Sequence, residues 1–346
     1  MSKVGVGVIG VGEMGKRHAE NVARFVPKAR LVGIADADLD RARSVARELE
    51  IEHYYNKAED LVAQKDVEAV VIASPARFHP GGIQVAAAAG KHILCEKPLA
   101  LTMEEGEAAL QAVEKAGVRL QIGFMRRYDP AYAQAKKRIE GGEIGEPIIF
   151  KSIGRDCEAP PLRYFESGWN GTLFHDSTVH DFDLARWLMS DEVVEVHAFA
   201  ATRALPHLSK MGLFDSGVVN LRLAQGGIGN VESFVDARYG YDVRSEIVGT
   251  RGTLQVGALG DSPLLVLTPP GGHYRAVDHF LVRFAEAYVE EMRDFVETIL
   301  SDRAPRVTGD DGRRALAVVL AAVRSCRESR PVQIPAPTPK ATTKVS

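Results

Sequence analysis

The sequence predicts an α/β fold in two parts, an N-terminal doubly wound parallel sheet and then an α+β region on a mostly antiparallel sheet. Three observations predict it. Continuous apolar runs alternate with amphipathic stretches through the first 124 residues. Strand-like segments then follow one another without intervening helices. A glycine-rich turn stands directly after the first apolar run.

The apolar runs are residues 4–9, 31–35, 67–73, 92–95 and 118–123. Strands this apolar suit a sheet covered on both faces. Between them, residues 13–25, 40–49, 57–63, 79–89 and 103–116 are rich in Ala and Leu with charges three or four apart, as in helices packed on such a sheet. Thr102 with Glu105 makes a capping-box start, and Gly90 and Gly117 stand where C-cap glycines belong. After residue 125 the rhythm changes. Residues 125–140 read as a helix, Gly141-Gly142 and Gly145-Glu146-Pro147 as turns, 148–153 as a strand and 178–188 as a helix. Strands are expected at 193–200, 217–223, 229–235, 243–248, 253–256 and 264–268, with Gly226-Gly227 joining two of them as a hairpin. Helices over 284–300 and 309–326 close the pattern. The expected domains are 1–124 and 125–330. Residues 331–346, with four prolines and no apolar periodicity, are expected to be a flexible tail.

Gly10-Val-Gly12-Glu13-Met14-Gly15 follows the first strand and opens a helix. In a dinucleotide site the first glycine makes the tight turn, the second admits a pyrophosphate, and the third lets helix pack on strand. Asp36 ends the next strand, 21 residues after Gly15, where a carboxylate can accept hydrogen bonds from an adenosine ribose. A plain turn with Asp36 as a helix cap would give the same letters. Asp36 also favours NAD over NADP, because a 2′-phosphate would bring negative charge beside it. Unit charges ~4 Å apart repel by about 4 kcal/mol at an effective dielectric near 20. Ala37, Asp38 and Leu39 offer no compensating cation, although Arg41 and Arg43 follow shortly.

Two further segments carry candidate chemistry. Glu96-Lys97-Pro98 lies at the carboxyl end of an expected parallel strand, where open α/β sheets bind ligands. Lys97 there could hold a substrate hydroxyl or relay a proton; a solvated lysine at a strand end is the plain alternative. In Phe174-His175-Asp176-Ser177-Thr178-Val179-His180-Asp181, Asp176 and His180 can share one side of a helix entrance. A neutral His180 can accept an alcohol proton, with Asp176 orienting it or bonding a neighbouring hydroxyl. Equally, Asp176 or Thr178 could be an N-cap, Asp181 the partner of a capping box, and His180 a core residue.

Composition narrows the field. The chain has 346 residues, 43 Lys+Arg against 46 Asp+Glu, and a formal net charge of −3, so no basic footprint for nucleic acid is present. Cys95, Cys157 and Cys326 are odd in number and widely spaced; they fit neither a disulfide framework nor a zinc ribbon. No metal site is expected, and no membrane-spanning or export segment is legible. A cytoplasmic location is the expectation.

Gly10/Gly12/Gly15, Glu96-Lys97-Pro98 and Asp176-x-x-x-His180, in this order, resemble the glucose–fructose oxidoreductase / inositol dehydrogenase / rhizopine-catabolism (Gfo/Idh/MocA) family, over residues 3 to about 330. Residues 123–130, Arg155-Asp156 with Pro160-Pro161, 178–187 and 238–244 look most like its inositol dehydrogenases. The resemblance implies a Rossmann domain binding NAD and an open C-terminal sheet, one face of which meets the nicotinamide while the other assembles a homotetramer. It implies NAD-dependent oxidation of a ring secondary alcohol on a polyol or sugar, myo-inositol or a related cyclitol first. It places Lys97, Asp176 and His180 around the substrate hydroxyl, with His180 as base. Arg127, Asp156 and Tyr239 become candidate substrate contacts, and Ser74, Pro75, His79 and Glu96 join Gly10, Gly12, Glu13, Met14, Gly15, Asp36 and Lys97 as candidate cofactor contacts. Trp169-Asn170-Gly171 and His175 depart from the usual pattern beside the pocket. The same frame could serve a sugar or glycoside dehydrogenase, a hydrolase that retains NAD, or a dinucleotide-binding regulator without turnover.

Overall fold

The computed structural model describes residues 3–257, 260, 266–273 and 275–335. Its first half is a six-stranded, wholly parallel sheet. The strands are β1 (Val4–Ile9), β2 (Ala29–Ala35), β3 (His53–Tyr55), β4 (Ala69–Ile72), β5 (His92–Glu96) and β6 (Leu120–Gly123), in the order β3-β2-β1-β4-β5-β6. The connecting helices are α1 (Glu13–Phe25), α2 (Leu39–Glu48), α3 (Ala58–Val62), α4 (His79–Ala88) and α5 (Met103–Ala116). β1 and β4 are buried at every position, as their unbroken apolar runs require. Thr102 caps α5 by accepting the Glu105 amide at 3.2 Å, and Gly117 ends it at φ +66°. β3 has no apolar run, being an edge strand, and was not legible in the sequence. The strand order reverses direction between β1 and β4, which places a ligand crevice at the carboxyl ends of those strands.

The helix expected over 125–140 is broken. Residues Met125–Tyr128 form a 3₁₀ turn, and α6 (Pro130–Glu140) begins afresh after Asp129, whose Oδ1 accepts the Ala131 and Tyr132 amides. Pro130 explains the break, since the residue before a proline is pushed out of the helical region. There follow β7 (Pro147–Arg155), α7 (Leu162–Glu166), a π-turn over Phe174–Thr178, α8 (Val179–Met189), β8 (Val193–Ala201), β9 (Ser216–Leu223), β10 (Ile228–Phe234), β11 (Asp242–Gly249), β12 (Thr253–Val256), β13 (Val266–Thr268) and β14 (Gly271–His273). Residues 264 and 265 of the expected 264–268 strand lie outside the described residues. After α9 (Phe280–Arg283) come α10 (Ala285–Leu300), α11 (Gly309–Glu328) and β15 (Val332–Gln333).

The larger sheet runs β12-β11-β7-β10-β9-β8-β15; β7 and β10 are parallel and every other pair is antiparallel. α8 covers one face: Ser152 Oγ donates to Asp181 at 2.6 Å, and a Cβ on Gly154 would stand 3.0 Å from Asp181 Oδ2. Strand alternation turns the neighbours of Ser152 and Gly154 to the opposite, open face, which exposes Phe199, Val218 and Ile228.

The chain then returns to the first sheet. Met292, Phe295 and Val296 of α10 cluster with Val6 and Val8 of β1 and Val71 of β4, and the Ile122 amide donates to the Val307 carbonyl. The expected tail also begins later than residue 331. Val332 is buried and pairs with Val196 of β8; its apolar side chain completes an edge of the sheet, while 336–346 lie outside the described residues. Among the described residues, no helix is long and apolar enough to cross a membrane.

Candidate active site

The glycines of the first turn divide the work as their spacing suggests. Gly10 has φ +82°, and a Cβ there would lie 2.6 Å from the Ser74 amide nitrogen. A Cβ on Gly15 would lie 1.7 Å from the Gly10 carbonyl oxygen, so helix and strand touch backbone to backbone. Among the described residues, nothing lies within 4 Å of that position at Gly12. It is the N-cap of α1, and among the described residues no side chain caps the helix there, so the helix end faces open space. A helix N-terminus with room for close backbone approach suits a pyrophosphate.

Asp36 closes the other end of this crevice. It is almost fully buried; Oδ2 accepts the Val11 amide at 2.8 Å and Oδ1 the Asp38 amide at 2.8 Å. Arg41 reaches back with both arms of its guanidinium, Nε to Oδ2 at 3.1 Å and Nη2 to Oδ1 at 2.6 Å. Against the opposing effect of burial, these bonds lower the Asp36 pKa. The cation that the adjacent residues lack is therefore present, held on the carboxylate itself.

Lys97 emerges from the end of β5 and meets the π-turn before α8. Its Nζ donates to the Asp176 carbonyl at 2.7 Å and to Asp176 Oδ1 at 3.1 Å. Tyr164 of α7 donates to the other carboxylate oxygen, Oδ2, at 2.6 Å. Asp156, just past β7, accepts from Ser177 Oγ at 2.7 Å; burial, with the nearby Asp176 charge, raises its pKa. One turn on, His180 is 7% exposed, its Nδ1 has no hydrogen-bond partner among the described residues, and its ring stands edge-on to Phe124. Burial, reinforced by the Arg126 and Lys97 charges, holds it well below 6.5, so it is a neutral imidazole at pH 7. A lysine, two carboxylates, a phenol and a neutral imidazole are thus gathered at the strand ends, where they can hold a hydroxyl and take its proton. The capping-box alternative does not occur: Thr178 bonds Ser233, and Asp181 bonds Arg126 and Ser152.

Other candidates stand elsewhere. His79 is 1% exposed and bridges two loops, with Nδ1 2.7 Å from the Pro98 carbonyl and Nε2 2.7 Å from the Ser74 carbonyl; it shapes the crevice without lining it. Glu96 turns inward to His18, and only its neighbour Lys97 faces the site. The Ser74 backbone lies against Gly10, and Ser74 and Pro75 are both half-buried. Arg127 is occupied by Asp183 at 2.6 and 2.8 Å and by Asp311 at 2.9 Å; α8 is buried almost all round, and its charges need such partners. The Tyr239 hydroxyl accepts from Arg155 and donates to Asp242, a pair that alternation places on the open sheet face. His175 is buried and faces Thr172. Trp169 packs on Phe78, and the adjacent Asn170 accepts the Ala76 amide at 3.1 Å, so this turn clasps the segment after β4. Tyr164, Ser177 and Arg126 were missed by sequence reasoning; Tyr164 sits in a short segment without periodicity.

Residues 4–124 match the profile described as an oxidoreductase family with an NAD-binding Rossmann fold, and residues 132–255 match the GFO/IDH/MocA C-terminal domain. The chain is 38% identical to the scyllo-inositol 2-dehydrogenase (NAD(+)) of Bacillus subtilis, over 94% of this chain and 95% of that protein. It is 34% identical to the myo-inositol 2-dehydrogenase of Thermotoga maritima, over 95% and 98%. The structure of scyllo-inositol dehydrogenase from Lactobacillus casei, with bound NAD(H) and scyllo-inositol, matches with a TM-score of 0.92 at 30% identity, over 96% of this chain and 99% of that one. Sheet order, glycine turn and matched domains agree: the chain belongs to the Gfo/Idh/MocA family of oxidoreductases, with an NAD-binding Rossmann fold.

Proposed function

We propose that this protein is an NAD-dependent dehydrogenase that oxidises a ring secondary alcohol of an inositol or closely related cyclitol. The observation that carries the reading is the Lys97–Asp176 contact beside the neutral His180, at the mouth of a crevice whose glycine turn fits a dinucleotide. The relatives named for myo- and scyllo-inositol support the substrate class. Gly12 and the first turn of α1 would hold the pyrophosphate and Asp36 the ribose. NAD, when bound, supplies the hydride acceptor.

The chain's own residues do the rest. Lys97 offers N–H donors to the substrate hydroxyl oxygen, stabilising the charge that develops there. His180 takes the hydroxyl proton, which its lowered pKa leaves it free to do at neutral pH. Asp176, gripped by Lys97 and Tyr164, fixes the lysine and presents oxygen to a neighbouring ring hydroxyl, and Asp156 extends this acceptor edge. NADH formation measured across myo-inositol, scyllo-inositol and pyranose sugars tests the reading. Turnover on an inositol well above that on any pyranose supports it; the reverse preference would make this a sugar dehydrogenase. The open sheet face, with Phe199 and Val218 paired across strands and Ile228 beyond, supports assembly into a homo-oligomer through that face.

A further inference from the structure

Behind the crevice lies a closed polar cluster outside the chemistry above. His18 on α1, Glu96 at the end of β5 and Glu291 on α10 are all buried, and a ligating atom of each lies within 4.8 Å of the others. Glu96 is satisfied: Oε1 meets His18 Nε2 at 2.8 Å, and Oε2 accepts the Lys97 amide at 3.2 Å. Glu291 is the reverse. It is 0% exposed, and among the described residues neither carboxylate oxygen has a hydrogen-bond partner. The groups facing it are Glu96 from β5, His18 from α1, Tyr128 from the turn after β6, and Tyr288 and Asp294 from its own helix.

We propose that Glu291 carries a proton in the folded protein, as the neutral half of a buried carboxyl–carboxylate pair with Glu96 where α10 packs behind the Lys97 segment. Burial and the Glu96 and Asp294 charges raise Glu291, whereas, against its own burial, Glu96 is held low by His18 and Lys97. Two buried carboxyl groups so close divide in this way, one neutral and one ionised. A proton fits the geometry better than a metal. Two ligands of one tetrahedral zinc stand about 3.3 Å apart, wider than the His18–Glu96 contact. Glu291 is a positioning residue: it acts through Glu96, which steadies both the start of the Lys97 segment and the helix that opens at Gly12.

Glu291→Gln keeps a neutral donor toward Glu96, and Glu291→Leu removes it. Thermal unfolding of parent and E291Q between about pH 5 and 8 reads the proton directly. Above the ordinary carboxyl range the parent must take up a proton on folding, a factor of about ten in the folding equilibrium per pH unit that E291Q escapes. The expected result is an E291Q advantage in melting temperature that widens as pH rises, with NAD affinity within about twofold of the parent. The infrared band of a protonated carboxyl should vanish in E291Q. E291L should bind NAD but turn over substrate more slowly; if it fails to fold, the E291Q profile decides alone. A pH-independent difference, an unchanged infrared band, or a stoichiometric metal lost on E291Q would each overturn the proposal.

Discussion

Lys97 and Asp176, 79 positions apart, meet through two bonds from one ammonium, to the Asp176 carbonyl and to its carboxylate. Tyr164 holds the carboxylate from the other side. A hydrogen bond to a charged group contributes about 1.5–3 kcal/mol. Tyr164→Phe is therefore expected to lower kcat/KM by roughly 10–100-fold with NAD affinity unchanged, as steady-state kinetics beside a cofactor titration would measure.

His180→Ala removes the proton acceptor. Turnover is expected to fall by about 10²–10⁴-fold, and NAD binding to stay intact. Because His180 sits well below 6.5, the acid limb of the parent's kcat/KM profile should lie below pH 6.5. A pH–rate profile locates it.

Acid stability has the same origin. His175 and His180 are buried with lowered pKa values, His175 at about 4. In the unfolded chain each protonates near 6.5, but in the folded protein only at lower pH. Stability conferred by the neutral forms is present above 6.5 and is lost as pH falls from there toward the folded values. For His175 alone the loss is about 3 kcal/mol between its two pKa values. Denaturant titrations at pH 7, 5.5 and 4.5 should show the decline, and His175→Gln should lessen it.

Asp36→Ala frees Arg41. Its guanidinium, now held on the carboxylate, would be released for a 2′-phosphate as the repelling charge disappears. The ratio of kcat/KM for NADP to that for NAD should rise at least ~10-fold.

Gly12→Ala and Gly15→Ala should separate binding from folding. The first places a methyl in open space, so the variant is expected to melt like the parent while losing NAD affinity. The second drives Cβ into the Gly10 carbonyl and should give little folded protein, as calorimetry would show.

Some of this was readable in the letters because backbone demands glycine and buried parallel strands demand apolar runs. Gly10, Gly15 and β1 announce themselves in that way, and Lys97 and His180 stood at recognisable strand and helix ends. Direction was harder. Glu96 and Lys97 are adjacent, yet one faces His18 and the other the crevice, and nothing in the spacing of His79 says that it bridges two carbonyls. Arg127 and Tyr239 were expected on resemblance alone, and their partners Asp183 and Arg155 are set by tertiary packing. The apolar stripe of α10 promised burial without saying against what.

That return of α10 decides what could be cut from the protein and still stand. A fragment ending at residue 124 would strip Met292, Phe295 and Val296 from the outer layer over Val6 and Val8, and Val307 from the flank of β6. The nucleotide-binding half is not a detachable cassette. Its last wall is laid by residues 292–307, so a nascent chain can finish that half only after those residues have been synthesised.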